Sequence, residues 1–145
     1  MVKVTGRTGQ LINVQMLGVG EVMRRLRLFG KEIESSADLG VIKAGAYIEE
    51  EVKESIIGNR VEHKSVTTGQ FAKSIEFTKT GKAIGVVAPK KEKYPNSKQT
   101  TKDIALMMEK GTSRILPRRH FGNTKTRNTK KIKEIIANEI KIGVI

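Results

Sequence analysis

The sequence predicts an α+β fold: two N-terminal helices, a central antiparallel β-hairpin or sheet, a short helix and a C-terminal helix packed on the sheet. Three observations predict this fold. Apolar residues recur every three or four positions over residues 19–56, the period changes to two over residues 71–88, and a helical period returns over residues 104–140. With 145 residues, 37% of them hydrophobic, and no internal repeat or linker, the chain is expected to form a single domain, 1–145.

The N-terminal part begins with residues 1–15, whose weak period predicts an arm or a short edge strand. The first helix is predicted from a regular apolar set: Val19, Val22, Leu26, Phe29 and Ile33. A second set marks the second helix: Val41, Gly45, Ile48, Val52 and Ile56. Ser35 and Asp38 predict the start of that helix, and Gly58 predicts its end. The small residues 44–46 would let these helices, or neighbouring subunits, approach closely.

The central part is typical of a β-hairpin. Apolar residues share one face of each strand: Phe71, Ile75 and Phe77 in the first, then Ile84, Val86 and Ala88 in the second. Thr80-Gly81 is expected at the tip of the hairpin, and Pro89 ends the second strand. Residues 90–100 follow and are predicted to form an exposed basic loop.

Two more helices are predicted after that loop. Thr100 or Thr101 is expected to cap a short helix that Gly111 ends. Its inward-facing residues are Ile104, Met107 and Met108. Residues 112–126 are predicted to form a second basic loop, and the last helix is expected to cover roughly residues 127–141. The buried side of that helix is formed by Ile132, Ile135, Ile136 and Ile140.

The net charge of +13 is concentrated in one stretch of the chain. Residues 90–133 contain 14 Lys and Arg against 3 Asp and Glu. Such a positive field attracts phosphate, and it attracts an acidic protein surface equally well. A solvated face that keeps the protein soluble is the simplest interpretation of the same residues.

Residues able to carry out catalysis are few. The chain has no cysteine, and its two histidines, His63 and His120, have no second ligand at a metal spacing. Both are expected to be surface residues. Glu51-x-Lys53 matches the end of a nuclease motif, but on a helix these two positions diverge, whereas Glu49 and Lys53 are i,i+4 neighbours. We therefore expect no enzyme, no metal and no cofactor, with a metal-dependent nuclease as the weakest hypothesis.

Nucleic-acid binding remains the alternative to a structural role. The basic segment can neutralise phosphates, which would give salt-sensitive affinity. It offers only Tyr94 and Phe121 for base stacking, and its charges are expected on two loops and a helix end rather than on one recognition helix. The alternative is thus a small basic protein that binds nucleic acid without sequence specificity.

Neither end of the chain indicates a membrane protein. The N-terminus lacks the apolar run of a signal peptide, and no segment is long enough to span a bilayer. The protein is therefore expected to be soluble, made in a cytoplasm, and without a membrane partner or a small-molecule substrate.

Two short stretches, "TTGQFAKSI" and "IALMMEKGTSRILPRRHF", carry a resemblance to a known family. They resemble the neck, tail-completion or minor tail component proteins that join head to tail in long-tailed bacteriophages. The residues that match are Thr68, Gly69, Ser74, Ile75, Glu109, Gly111, Thr112, Arg119 and Phe121. The match departs at His120, where the family pattern has proline.

The resemblance implies a non-enzymatic structural subunit of the virion, assembled in the host bacterial cytoplasm. It implies a ring of this chain, a hexamer if it follows the symmetry of the tail. The other implied partners are head-closure or connector proteins, tail-terminator or tail-tube proteins, and non-specific contact with packaged DNA.

Two charged groups are candidates for the contacts between subunits. The acidic group lies on the second predicted helix: Glu49, Glu50, Glu51 and Glu54. The basic group lies after Gly111: Arg114, Arg118, Arg119 and His120. In a ring, the acidic face of one subunit can meet the basic face of the next, which would fix register and orientation.

Overall fold

The computed structural model describes residues 2–7, 10–16, 30–65, 69–93 and 97–144, which form the predicted α+β fold. The elements follow one another as β1 (Val2–Arg7), β2 (Gln10–Met16), α1 (Gly30–Ile57), α2 (Gln70–Ser74), β3 (Ile75–Gly81), β4 (Ile84–Pro89), α3 (Thr101–Lys110) and α4 (His120–Val144). The long helices α1 and α4 pack on each other, and α1 also packs on the sheet.

The four strands form one antiparallel sheet in the order β1-β2-β4-β3. The predicted hairpin is its β3–β4 half, in which Phe77 lies opposite Val87. One arm or edge strand was predicted over residues 1–15, but this part of the chain forms β1 and most of β2. The strand β2 pairs with β4, with Val14 opposite Gly85. The second strand was missed because the alternating apolar runs are short, and Gly6 and Gly9 lie within or next to the first of them.

The helix α1 is continuous through the position where a second helix was predicted to begin. Asp38 does not cap a helix. Its carboxylate accepts a hydrogen bond from the Ala83 N–H at 2.5 Å and forms an ion pair with Lys79 at 2.9 Å. Asp38 therefore connects α1 to the β3–β4 turn. Most of the first predicted helix, residues 19–29, lies outside the described residues, and residues 30–33 belong to α1.

The core lies where α1 contacts α4 and the sheet. The predicted stripe of the second helix, from Val41 to Ile56, is buried as expected. The last helix was expected to pack on the sheet, but α4 packs mainly on α1, with smaller contacts to β1 and β2. At Gly40 the two helices are so close that an added Cβ would lie 3.1 Å from the Cα of Ile136.

The ring of Phe77 occupies a slot between a helix and a strand. A Cβ at Gly45 on α1 would lie 2.2 Å from this ring, and a Cβ at Gly85 on β4 would lie 2.1 Å from it. Gly45 was expected to allow close approach of helices or subunits; its role in this structure is to admit an aromatic ring from the neighbouring strand.

Several element boundaries differ from the predicted ones. Phe71 lies in the short helix α2, so the strand begins at Ile75. The hairpin turn is formed by Lys82 and Ala83 rather than by Thr80-Gly81. Ala83 takes a left-handed φ of 51° and is buried, which the hydrogen bond to Asp38 stabilises.

The two ends of the loop at residues 90–100 are held together by Thr101, the first residue of α3. Thr100 caps α3 and forms a capping box with Asp103, which decides between the two predicted caps. The buried hydroxyl of Thr101 donates to the Lys90 carbonyl and accepts from the Glu92 N–H at 3.0 Å. The lysines of the described part of the loop are exposed as expected: Lys90, Lys91, Lys93 and Lys98.

Candidate functional site

The segment between α3 and α4 is built around the carboxylate of Glu109. Its oxygens accept hydrogen bonds from the first N–H groups of α4, from Phe121 at 3.1 Å and from Gly122 at 2.7 Å. These N–H groups have no partner within the helix, so Glu109 acts as a cap supplied from α3. Burial raises the pKa of Glu109, and the two N–H groups oppose that increase.

Gly111 and Thr112 fix the turn that leaves α3. Gly111 has a φ of 77°, and a Cβ there would lie 2.7 Å from the Ile115 carbonyl oxygen. The Thr112 N–H donates to that same carbonyl at 2.8 Å. The Thr112 hydroxyl accepts from the N–H groups of Arg114 and Ile115 at 3.2 and 3.1 Å. Thr112 therefore fixes this turn, whereas Glu109 stabilises the following helix.

Because α4 begins at His120, the connection is only residues 111–119, and the predicted loop over 112–126 and helix start near residue 127 are wrong. The helix begins earlier because Glu109 satisfies its first N–H groups from a distance of twelve residues in sequence. One consequence concerns charge: five basic residues expected on a loop and a helix end lie on a single helix. They are Lys125, Arg127, Lys130, Lys131 and Lys133.

The guanidinium of Arg118 points toward the protein rather than toward a partner. Its Nη1 donates to the Lys64 carbonyl at 2.5 Å and to the Ser65 hydroxyl at 2.8 Å. The Arg118 N–H donates to the Met108 carbonyl at 2.7 Å. Arg118 therefore ties the 111–119 loop to the segment that follows α1.

His120 is fully buried, so the expectation that both histidines lie on the surface is wrong for it and right for His63. Its Nδ1 lies 2.8 Å from the Ser55 hydroxyl and its Nε2 lies 2.6 Å from the Ser65 hydroxyl. Burial lowers the pKa of His120 to about 4, because charging the ring without water is costly, and Arg118 adds to the decrease while Glu62 opposes it. At neutral pH the ring is an uncharged structural link.

Glu62 and Arg127 form a second link that the sequence did not single out, in which Glu62 is buried and Arg127 is partly exposed. The Arg127 Nη1 lies 2.7 Å from Glu62 Oε1, and the Glu62 side chain is almost fully buried. Burial alone would raise the pKa of Glu62, but hydrogen bonds from Arg127, from the Glu62 backbone and from Ser55, together with the positive charge of Arg127, outweigh burial and the pKa is lowered. Ser55 could have indicated these buried polar groups from the sequence, because a polar residue on the apolar side of α1 requires polar neighbours.

The predicted acidic face of α1 is largely engaged within the chain. Glu49 pairs with Lys53 at 2.6 Å, as expected for i,i+4 neighbours, and also accepts from the Phe77 N–H at 2.9 Å. Glu51 binds Arg60 through both oxygens, at 2.6 and 3.1 Å.

The remaining two glutamates of that face differ from each other. Glu54 accepts from Asn59 at 2.7 Å and lies 3.9 Å from Arg60. Glu50 is exposed and has no ion pair with another residue of the described part of the chain. The four glutamates are therefore not available together as a contact face.

The first stretch of the resemblance, "TTGQFAKSI", has its described residues at the junction of α2 and β3. Gly69 precedes α2 with a φ of 79°, and the buried Ser74 donates to the Phe71 carbonyl at 2.7 Å. Ile75 is buried at the start of β3. Thr68 lies outside the described residues. In the second stretch of the resemblance Phe121 is buried, while Arg119 is exposed with a left-handed φ of 52°.

Arg118 joins two segments, residues 58–65 and 111–119, and both carry exposed side chains. We call the set of Val61, Lys64, Arg114, Leu116 and Arg119 the Leu116 surface. Val61 is 87% exposed and Leu116 is 84% exposed. Of the predicted basic group only Arg114 and Arg119 are presented outward, because Arg118 and His120 point inward.

Within the described ranges no group of His, Cys, Asp or Glu side chains has the arrangement that would hold a metal ion. No helix in those ranges is apolar over enough length to cross a bilayer. Comparisons with protein-family models, with curated proteins and with solved structures each give no match.

Proposed function

We propose that the chain is a structural subunit of a bacteriophage neck or tail end, which joins tail to head by binding copies of itself and adjacent connector and tail proteins. The observation that carries this proposal is that residues of the second stretch of the resemblance, "IALMMEKGTSRILPRRHF", are joined in one structural unit. Glu109 holds the start of α4 next to Phe121, Gly111 and Thr112 fix the intervening turn, and the unit presents the Leu116 surface.

A role in binding neighbours is consistent with the chemistry of this unit. Its polar groups are used to fix the backbone, and its two most exposed apolar side chains, Val61 and Leu116, are of the kind that interfaces cover. Leu39 and Ile42 on α1 add exposed apolar area for contacts between copies. Since most of the acidic face of α1 is paired internally, the ring is proposed to use apolar contacts rather than an acidic face meeting a basic one.

Native mass spectrometry of the purified protein tests the assembly directly. We expect a closed ring, a hexamer by the symmetry of the tail, and a complex with connector or tail-tube proteins when these are added. Electron microscopy of virions labelled with an antibody against the chain should place it at the neck. A monomer that is absent from purified virions would refute the proposal.

One observation favours a second candidate, a protein that binds nucleic acid without sequence specificity. Three exposed lysines of α4, Lys130, Lys131 and Lys133, have no ion pair with any residue in the described ranges. A basic helix can follow a phosphate backbone, and binding should then weaken steeply with salt. Replacing Lys130 and Lys133 by glutamine should reduce duplex DNA binding if this function holds and leave ring formation unchanged.

A further inference from the structure

We propose that the Leu116 surface docks an acidic protein partner in which carboxylates surround an apolar recess. Leu116 and Val61 would enter the recess, and Lys64, Arg114 and Arg119 would meet the carboxylates. The inference rests on the proposed function, since it describes the partner-binding side of a subunit that acts through contacts.

The loop that carries Leu116 is fixed before any partner binds. Thr112 closes the turn through its N–H and its hydroxyl. At the other end, the Arg118 N–H donates to Met108 and its guanidinium donates to Lys64 and Ser65. Leu116 is 84% exposed on a backbone that is held at both ends. Because this backbone is already ordered, binding a partner costs little conformational entropy, which favours affinity.

The two segments that carry Val61 and Leu116 contribute exposed charges of one sign. In residues 58–65 the only carboxylate is Glu62, which is buried and paired with Arg127, and residues 111–119 contain no carboxylate. The exposed charged side chains there, Lys64, Arg114 and Arg119, form no ion pair with a described residue. An acidic rim on the partner complements this arrangement, whereas a basic or neutral rim does not.

The occupant that these features favour is a different protein rather than nucleic acid or another copy of this chain. Phosphate binding gains nothing from two aliphatic side chains, and the surface offers no aromatic ring on which a base could stack. A second copy carries the same positive excess, and the glutamates that would attract it are mostly paired internally.

The test uses synthetic peptides with the full-length chain. The probe is a fluorescent peptide in which a leucine–phenylalanine pair is flanked on both sides by glutamates. Two matched peptides replace the glutamates by lysines or the apolar pair by serines, and a duplex DNA is a fourth probe. Fluorescence anisotropy at low salt measures affinity, and amide shifts of the labelled protein locate the contact.

We expect the acidic apolar peptide to bind and to shift residues 61–64 and 114–119. Leu116→Ser should weaken this binding about tenfold, because one apolar anchor is lost from the interface. The matched control is Ile142→Ser on α4, which is 67% exposed and should change nothing. Arg114→Gln should weaken binding as well, and Lys141→Gln should not.

Three results would overturn the inference. They are no binding of the acidic apolar peptide, equal affinity of wild type and Leu116→Ser, or duplex DNA binding that depends on Leu116. Native mass spectrometry of Leu116→Ser separates this inference from the proposed function. If the ring is intact and peptide binding is lost, both stand; if the wild-type ring is lost in the variant, the surface is occupied by a second copy and this inference fails alone.

Discussion

The acidic side of α1 and the basic loop at residues 111–119 differ in the sign of their charge and in whether that charge is paired within the chain. On α1, three of four glutamates lie in ion pairs: Glu49, Glu51 and Glu54. In the loop, Arg114 and Arg119 are exposed and have no ion pair within the described part of the chain. A helix brings i,i+4 partners together, and Arg60 folds back onto it, whereas a loop without carboxylates has no local partner. Charge that is available for a partner therefore cannot be counted from the sequence alone.

The largest expected effect concerns the buried histidine beneath the loop. The unfolded chain protonates His120 near its ordinary pKa of 6.5, and the folded chain only near 4. Between these values the unfolded state binds more protons, so stability falls as pH is lowered through this window, by up to about 3 kcal/mol. Urea unfolding at several pH values measures the loss. His120→Gln should remove this part of the pH dependence, and His63→Gln should retain it; equal profiles for all three proteins would contradict the assignment.

A smaller effect on stability is expected at Glu109, whose carboxylate caps α4. Glu109→Ala removes the acceptor for the Phe121 and Gly122 N–H groups. Leaving helix N–H groups without a partner should cost about 2 kcal/mol. Glu109→Gln keeps one acceptor oxygen and should cost less. Thermal unfolding followed by circular dichroism gives both values, and an unchanged midpoint for the alanine variant would show that Glu109 does not stabilise α4.

Two neighbouring glutamates sharpen the comparison within α1 itself. Glu51→Gln breaks the two-point contact with Arg60 and should cost about 1 kcal/mol, since the pair is only partly buried. Glu50→Gln should cost less than about 0.5 kcal/mol, as expected for an exposed side chain. Chemical unfolding of the two variants side by side measures the difference. Equal costs would mean that α1 does not differ from the loop in how its charges are engaged.

The smallest expected effect is in the loop. Arg114→Gln should change the free energy of unfolding by less than about 0.5 kcal/mol, because its side chain is exposed and forms no ion pair with a described residue. Arg118→Gln is the matched variant and should be clearly destabilising, because the hydrogen bonds to Lys64 and Ser65 are lost. If both arginines prove equally dispensable, the distinction between outward and inward cations in this loop is wrong.

Sequence periodicity predicted the fold class, the buried stripe of α1 and the hairpin of β3 and β4, because local patterns determine them. It failed where distant residues decide. Ser35 and Asp38 look like a helix start, but Asp38 is bound to the far turn at Ala83. Residues 120–126 look like part of a loop, but Glu109 lets α4 begin at His120. The contacts of His120 need three separate segments to meet, and no sequence pattern encodes that meeting.

The position of Phe77 restricts how the domain can deform. Its ring lies between the backbones of Gly45 and Gly85, so α1 cannot slide or roll across the sheet without driving an aromatic ring into one of them. The Phe77 ring therefore fixes the position of α1 relative to the sheet. Any movement of α1 relative to β3 and β4 would therefore require the Phe77 ring to leave this slot.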